Sequence, residues 1–183
     1  KLDIIEVDEV DTSALKLKFP PAARSGQYPV AVEELSKSYG NHVVFNDARM
    51  VIERGEKVAL VGKNGEGKST MVKLIMNEIQ SDKGKMEVGH NVKIGYFAQN
   101  QASLLDDNAT IFDTVDRVAE GEIRTQIKNI LGAFMCSEDD IQKKVKVLSG
   151  GEKTRLAMVK LLLEPYNVLV LDEPTNHLDL KTK

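Results

Sequence analysis

Cysteine is nearly absent from this 183-residue chain, which carries only Cys136. One thiol excludes a disulfide within the chain and fits a reducing compartment. Long apolar runs are missing as well. Nothing approaches the roughly 18 consecutive apolar residues that a membrane-spanning helix needs, and the opening residues lack a signal-peptide pattern. Charge of one sign is not in large excess: a net charge of −3 argues against a generally basic nucleic-acid binder. Any contact with RNA would need a local patch or another part of a longer protein. Internal repeats and low-complexity segments are also absent. What remains, 42% hydrophobic and 29% charged residues, is ordinary for a globular domain, and the length is enough for one sizeable core. The chain begins with Lys1 rather than Met, as expected of a piece of something longer.

The first stretch, Lys1 to Asp11, is acidic and partly alternating, and Leu15 to Phe19 alternates like a short strand. Pro20-Pro21-Ala22-Ala23-Arg24-Ser25-Gly26 then reads as a linker, so residues 1–28 are expected to lead into a domain over 29–183. Strand patterns follow at Val30 to Leu35, Val43 to Phe45, Ala48 to Ile52 and Lys57 to Val61. The last is expected to feed a glycine loop and a helix from about Lys68 to Glu78. Lys85 to Val88 and Val92 to Phe97 read as a hairpin-like pair around Gly89-His90-Asn91. Helices are expected at Thr110 to Ala119, with Thr110 as cap, and at Glu122 to Met135, where Ile123, Ile127, Ile130 and Phe134 recur at helical spacing. Another runs from about Gly150 to Glu164, stopped by Pro165, and a strand starts at Asn167. The order predicts an α/β core with a helical subdomain at about 100–160.

Two motifs carry chemistry. Gly62-Lys63-Asn64-Gly65-Glu66-Gly67-Lys68-Ser69 follows a predicted strand and opens a predicted helix, the setting of a phosphate loop. Backbone amides from Gly65 to Thr70 would turn inward around a β-phosphate, aided by the helix dipole. Lys68 would reach the β- and γ-phosphates, and the Ser69 hydroxyl would ligate Mg²⁺. A plain glycine-rich turn before a helix lacks that register of strand, lysine and hydroxyl. The second motif is Val168-Leu169-Val170-Leu171-Asp172-Glu173, an apolar strand ending in two carboxylates. Two charges at the tip of a buried strand call for a cation and a polyphosphate opposite. Asp172 would hold Mg²⁺ through a water, and Glu173 would polarise the attacking water as general base. Together they point to a nucleoside triphosphatase domain. Leu148-Ser149-Gly150-Gly151-Glu152 precedes a helix; Ser149 can cap it, with Glu152 completing a capping box. Two glycines at a helix start weaken it, which suggests close approach by a further phosphate.

With these motifs in place, the chain from Val30 onward resembles the ATP-binding cassette superfamily, which implies a P-loop NTPase fold with an antiparallel β part, a mixed sheet core and a helical subdomain. The resemblance implies that Ser149, Gly150, Gly151 and Glu152 form the signature motif facing ATP held by a second cassette. It implies that Tyr39 stacks on adenine, although an ordinary strand-end tyrosine remains open. Gln99, closing Tyr96-Phe97-Ala98-Gln99, would sense Mg²⁺, and Asp179 would lie at the dimer seam. Asp172 to Asp179 (Asp-Glu-Pro-Thr-Asn-His-Leu-Asp) and Gly95 to Gln99 most resemble the ABC-F proteins. That family has two cassettes in one polypeptide and no membrane domain, and those characterised act on ribosomes. The implied protein is therefore a cytoplasmic ATPase using ATP and Mg²⁺, a ribosome-associated translation or antibiotic-resistance factor, with a second cassette and the ribosome, its rRNA and tRNA as partners. Residues 1–28 would end the inter-cassette linker and the rest would be the second cassette, ending before the switch histidine of the family pattern, for which His177 is no substitute. Two alternatives stand beside this: the ATPase subunit of a membrane transporter, and a nucleotide-gated module with negligible turnover. His42 and His90 read as solvated turn residues. Lys143, Lys144, Lys146, Lys153 and Arg155 read as a solvated face or as an rRNA or partner contact.

Overall fold

A computed structural model describes residues 20–98, 100–134 and 140–172. Gln99, Cys136, Glu173, His177 and Asp179 lie outside the described residues, as do the first nineteen. Strand β1 (Val30–Tyr39) lies between β2 (His42–Ile52) and β3 (Lys83–Val88), antiparallel to both. The β1–β2 turn is tight because Gly40 adopts a positive φ of 57° between the paired residues Tyr39 and His42. The two strands expected at Val43 to Phe45 and Ala48 to Ile52 are one. The break read in the sequence is an irregularity near Asp47, whose φ is 55°. Helix α1 (Lys68–Ile75) packs Met71, Leu74 and Ile75 against Val30, Val32 and Leu35 of the sheet.

Strand β4 (Ile94–Phe97) pairs in parallel with β5 (Val168–Leu171), from Ile94 opposite Val168 to Phe97 opposite Leu171. The hairpin expected between Lys85–Val88 and Val92–Phe97 therefore does not form. Gly89 instead carries the chain over Tyr28 and Pro29, where any Cβ would meet the Tyr28 carbonyl oxygen at 2.5 Å, and the two strands join different sheets. Lys57 to Val61, expected as a strand, takes no strand pairing, and Val58, Leu60 and Val61 are exposed. Its apolarity suits a sheet position, but pairing depends on a partner's backbone groups lying in register, and here a cleft separates it from β5. For the same reason β5 is less buried than its composition implies, with Leu169 39% and Leu171 46% exposed.

The helical part has its own apolar cluster. Helices α2 (Ile111–Asp116), α3 (Glu122–Thr125), α4 (Ile127–Phe134) and α5 (Gly150–Leu163) gather around Ile111, Val115, Ile127, Leu131, Leu156 and Val159. Thr110 caps α2, its hydroxyl accepting from the Asp113 amide at 3.0 Å. The helix expected from Glu122 to Met135 is broken at Gln126, yet Ile127 and Ile130 still face the cluster, because both short helices present the same apolar side. A separate set, Phe97 with Ala157, Met158 and Leu161, ties β4 to α5. No helix among the described residues is long and apolar enough to cross a membrane.

Candidate functional site: a glycine loop facing an acidic strand end

The loop before α1 is shaped by two glycines in the left-handed region, Gly65 at φ 89° and Gly67 at φ 90°. Gly67 is buried against β2; a Cβ there would collide with Val44 and come within 2.7 Å of the Phe45 ring. Only glycine lets the backbone turn into the helix at so close an approach. Gly67 is also the N-cap of α1, so the helix begins with no side-chain cap and no acidic residue in its first turn. The first-turn amides and the positive end of the helix dipole are thus left to an anion from outside the helix. The Lys68 ammonium donates to the Gly62 and Lys63 carbonyl oxygens at 2.7 and 2.9 Å, which holds it at the lip of the loop. Phosphate oxygens would replace these neutral acceptors with charge-assisted ones.

The loop already accepts one anion, its own. The Glu66 carboxylate folds back to accept from the Lys63 amide at 2.8 Å. That carboxylate occupies a position a phosphate oxygen could take at the Lys63 amide. The same observation separates the backbone of Glu66, which a triphosphate could use, from its side chain, which would oppose one. Ser69 is exposed and Thr70 half-buried just inside the helix, while Asn64 is exposed on the loop.

On the opposite side, Asp172 follows β5 directly, its amide donating to the Phe97 carbonyl at 3.0 Å. The Tyr96 hydroxyl lies 3.5 Å from an Asp172 carboxylate oxygen, and burial, followed by the Asp172 charge, pushes the Tyr96 phenol above its ordinary value. Lys68 and Asp172 line one cleft of about 620 Å³, with Lys57 to Leu60 and Val168 to Leu171 as its walls. The cleft thus brings a lysine and an acidic strand end into one lining, between largely apolar segments.

Tyr39 stands outside that cleft's lining, at the tip of the β1–β2 hairpin, 52% exposed. Because Phe45 touches the Gly67 position and His42 pairs with Tyr39, the tip lies roughly 10 Å along β2 from the loop.

Ser149 to Glu152 lie elsewhere, at the exposed start of α5. The capping box is complete: the Ser149 hydroxyl accepts from the Glu152 amide at 3.4 Å, and the Ser149 amide donates to the Glu152 carboxylate at 2.7 Å. The Ser149 hydroxyl and amide hold the Glu152 carboxyl below the usual carboxylate range. A Cβ on Gly150 would meet nothing within 4 Å, so this helix start is open to approach from outside. His90 is exposed in a turn, as expected; His42 is exposed too, but it is the first residue of β2, paired with Tyr39, and not a turn residue. Among the basic cluster, Lys143 pairs with Asp140 and Lys153 with Asp107.

Sequence reasoning missed several residues around the site. Asp82, 44 residues from Ser38, binds that residue just before Tyr39. Asn167 donates to the Ala23 and Asn91 carbonyls at 2.8 and 2.7 Å, and the Arg54 guanidinium donates to the Ser25 carbonyl at 2.8 Å. These tie the stretch read as a linker to the starts of both arms of the cleft. No local pattern announces any of them, since each partner is remote in sequence.

The ABC transporter family profile matches residues 45–176. ABC transporter F family member 5 of Arabidopsis thaliana is 45% identical over 170 residues, 92% of this chain and 25% of that protein. The putative ATP-binding protein YdiF of Bacillus subtilis is 40% identical over all of this chain and 28% of its own length. The ATP-binding protein Uup of Haemophilus influenzae is 41% identical over 91% of this chain and 26% of its own length. The chain thus spans about a quarter of the length of these relatives. Among solved structures, the ATP-binding subunit of an ABC transporter superposes with a TM-score of 0.68 at 26% identity, over 84% of this chain and 69% of that one. A dimeric ATP-binding cassette in a post-hydrolysis state, bound to ADP and Pi, superposes with a TM-score of 0.64 at 25% identity, over 84% and 77%. With a glycine loop facing an acidic strand end, and matches over most of its length, the chain belongs to the ATP-binding cassette family, and its kinship is with the ABC-F branch.

Proposed function

We propose that this chain is the ATP-binding and ATP-hydrolysing cassette of a longer cytoplasmic ABC-F protein, the second of two, acting on the ribosome. The observation that carries the ATPase reading is the shared cleft, lined by both Lys68 and Asp172, together with a helix start left uncapped at Gly67. The first-turn amides and Lys68 would grip the β- and γ-phosphates, and Tyr39 would stack on the base. Ser69, Gln99 and, through a water, Asp172 would hold Mg²⁺, whose charge offsets that of the phosphate oxygens. Glu173 would take the proton of the attacking water.

The open start of α5 supports a role across a seam, because its residues do not line the chain's own cleft. Ser149, Gly150, Gly151 and Glu152 would face the γ-phosphate held by the other cassette, with Asp179 at the seam. ATP would then favour the closed pair, and its hydrolysis would release it, since only the closed state makes both sets of contacts. The 45% identity to an F-family relative supports the ABC-F placement; a protein without a membrane partner that acts on the ribosome, through rRNA and tRNA contacts, is the extension we make from that kinship.

Steady-state hydrolysis by the full-length protein tests the assignment of Glu173. Glu173→Gln should lower turnover by roughly 10²–10⁴ while nucleotide still binds. Equal hydrolysis by both proteins would remove Glu173 as the base. Ribosome association is read separately, by co-sedimentation of the full-length Glu173→Gln protein with ribosomes in the presence and absence of ATP; no ATP-dependent pelleting sinks that part.

A further inference from the structure

The ladder between β1 and β3 stops at Ser36 opposite Lys83. Beyond it, β1 runs on to Tyr39 with no strand on that side among the described residues. Asp82, immediately before β3, takes over. Its amide donates to the Ser36 carbonyl at 2.9 Å, and one carboxylate oxygen accepts from both the Ser38 amide (2.7 Å) and the Ser38 hydroxyl (2.8 Å). The other carboxylate oxygen accepts from the Lys37 ammonium at 2.8 Å. That ammonium lies over the Tyr39 ring, 5.5 Å from its centroid, a cation–π distance. The Lys37 side chain is only 15% exposed, so the cation is held in place rather than waving in solvent.

We propose that Asp82 and Lys37 are positioning residues for Tyr39, setting the ring's plane so that one face meets the Lys37 ammonium and the other takes the nucleobase. The inference rests on the base-stacking reading of Tyr39 given above. Asp82 takes the place of a paired strand there, holding the Ser36 carbonyl and both the amide and the hydroxyl of Ser38, the residue before Tyr39. Lys37 restricts the ring itself. Without them the last residues of β1 would keep only their pairing to β2, which is irregular between Lys37 and Ser38. A tyrosine on such an end would lose rotamer freedom on meeting the base, and affinity would fall by that ordering cost. The Lys37 and Ser38 hydrogen bonds hold the Asp82 carboxyl at about 2, in keeping with a carboxylate that is fully engaged.

A double-mutant cycle tests this by titrating the chain with Mg-ATP and, separately, with Mg-tripolyphosphate, which has no base to stack. Tyr39→Ala should weaken ATP by roughly 5- to 150-fold, the range for removal of one base stack. Asp82→Ala should weaken ATP by part of that factor and leave tripolyphosphate unchanged, and the double variant should bind ATP no more weakly than Tyr39→Ala alone. Lys37→Met, which leaves the Asp82–Ser38 bonds in place, should move ATP in the same direction and serves if Asp82→Ala does not fold. Equal loss for ATP and tripolyphosphate, or full additivity of Asp82→Ala with Tyr39→Ala, would make Asp82 merely structural and overturn the proposal. Unchanged ATP affinity in Asp82→Ala and Lys37→Met, with Tyr39→Ala still weakened, overturns the positioning role alone. Unchanged ATP affinity in Tyr39→Ala overturns the stacking reading and the positioning role together.

Discussion

Gly67 and Asp82 show how much of this cassette's chemistry turns on individual side chains, or on the lack of one. Gly67 sits at φ 90° with Val44 and Phe45 closed against it. An L-residue there meets both backbone strain, on the order of 1–3 kcal/mol, and the β2 side chains. Gly67→Ala should therefore be less stable by at least about 1 kcal/mol in chemical denaturation and should lose its response to nucleotide; equal stability would show that the loop relaxes without cost. Asp82 has a carboxyl lowered from 3.8 to about 2 in the folded chain, first by its hydrogen bond with Lys37 and then by those with Ser38. The unfolded chain binds that proton more readily, so the stabilisation is complete above about pH 4 and disappears as pH falls through about 2. Acid titration of stability should show a steep loss in that window, shallower in Asp82→Asn. An identical acid limb in the variant would mean that the bonds do not form in solution.

Among the elements, α5 has its start written in adjacent residues, as does α2 with its Thr110 cap. Ser149 and Glu152 satisfy two of its amides reciprocally, and Thr154 donates its hydroxyl back to the Gly150 carbonyl at 2.9 Å. Leu156, Val159 and Leu163 then carry the helix into the main apolar cluster. Ser149→Ala should cost about 1 kcal/mol, read as a lower urea midpoint at unchanged slope; no change would make the capping box incidental. The β elements behave differently. The composition of Lys57 to Val61 and of Val168 to Leu171 suits buried strands, yet the first takes no ladder and the second is paired on one edge only. Both motifs were legible because each occupies contiguous residues. The clamp on Ser38 was not, because Asp82 reaches it only once β3 has folded onto β1.

For the molecule as a whole, a ligand held in the cleft lined by Lys68 and Asp172 would couple binding to stability. A ligand present at 100 times its dissociation constant adds about 2.7 kcal/mol, which for a chain of this length raises the melting temperature by roughly 5–10 °C. Mg-ATP should produce such a shift, and Lys68→Ala should lose most of it. An equal shift in both proteins would place the nucleotide somewhere other than the glycine loop. The tethers from Asn167 to Ala23 and from Arg54 to Ser25 give the shift a structural route, since the same N-terminal stretch is bonded to the start of each wall.

Contiguous residues were enough to specify the glycine loop, the capped helices and the apolar strand that ends in carboxylates. The hydrogen bonds that make a helix or a phosphate loop close within a few positions, so neighbours in sequence already contain both partners. Strand pairing has no such limit. That β3 joins β1 rather than β4, that β4 lies parallel to β5, and that Lys57 to Val61 stands apart from both were settled by packing. So was the meeting of Lys68 with Asp172 in one cleft, because those residues are brought together by separate sheets and not by any spacing along the chain.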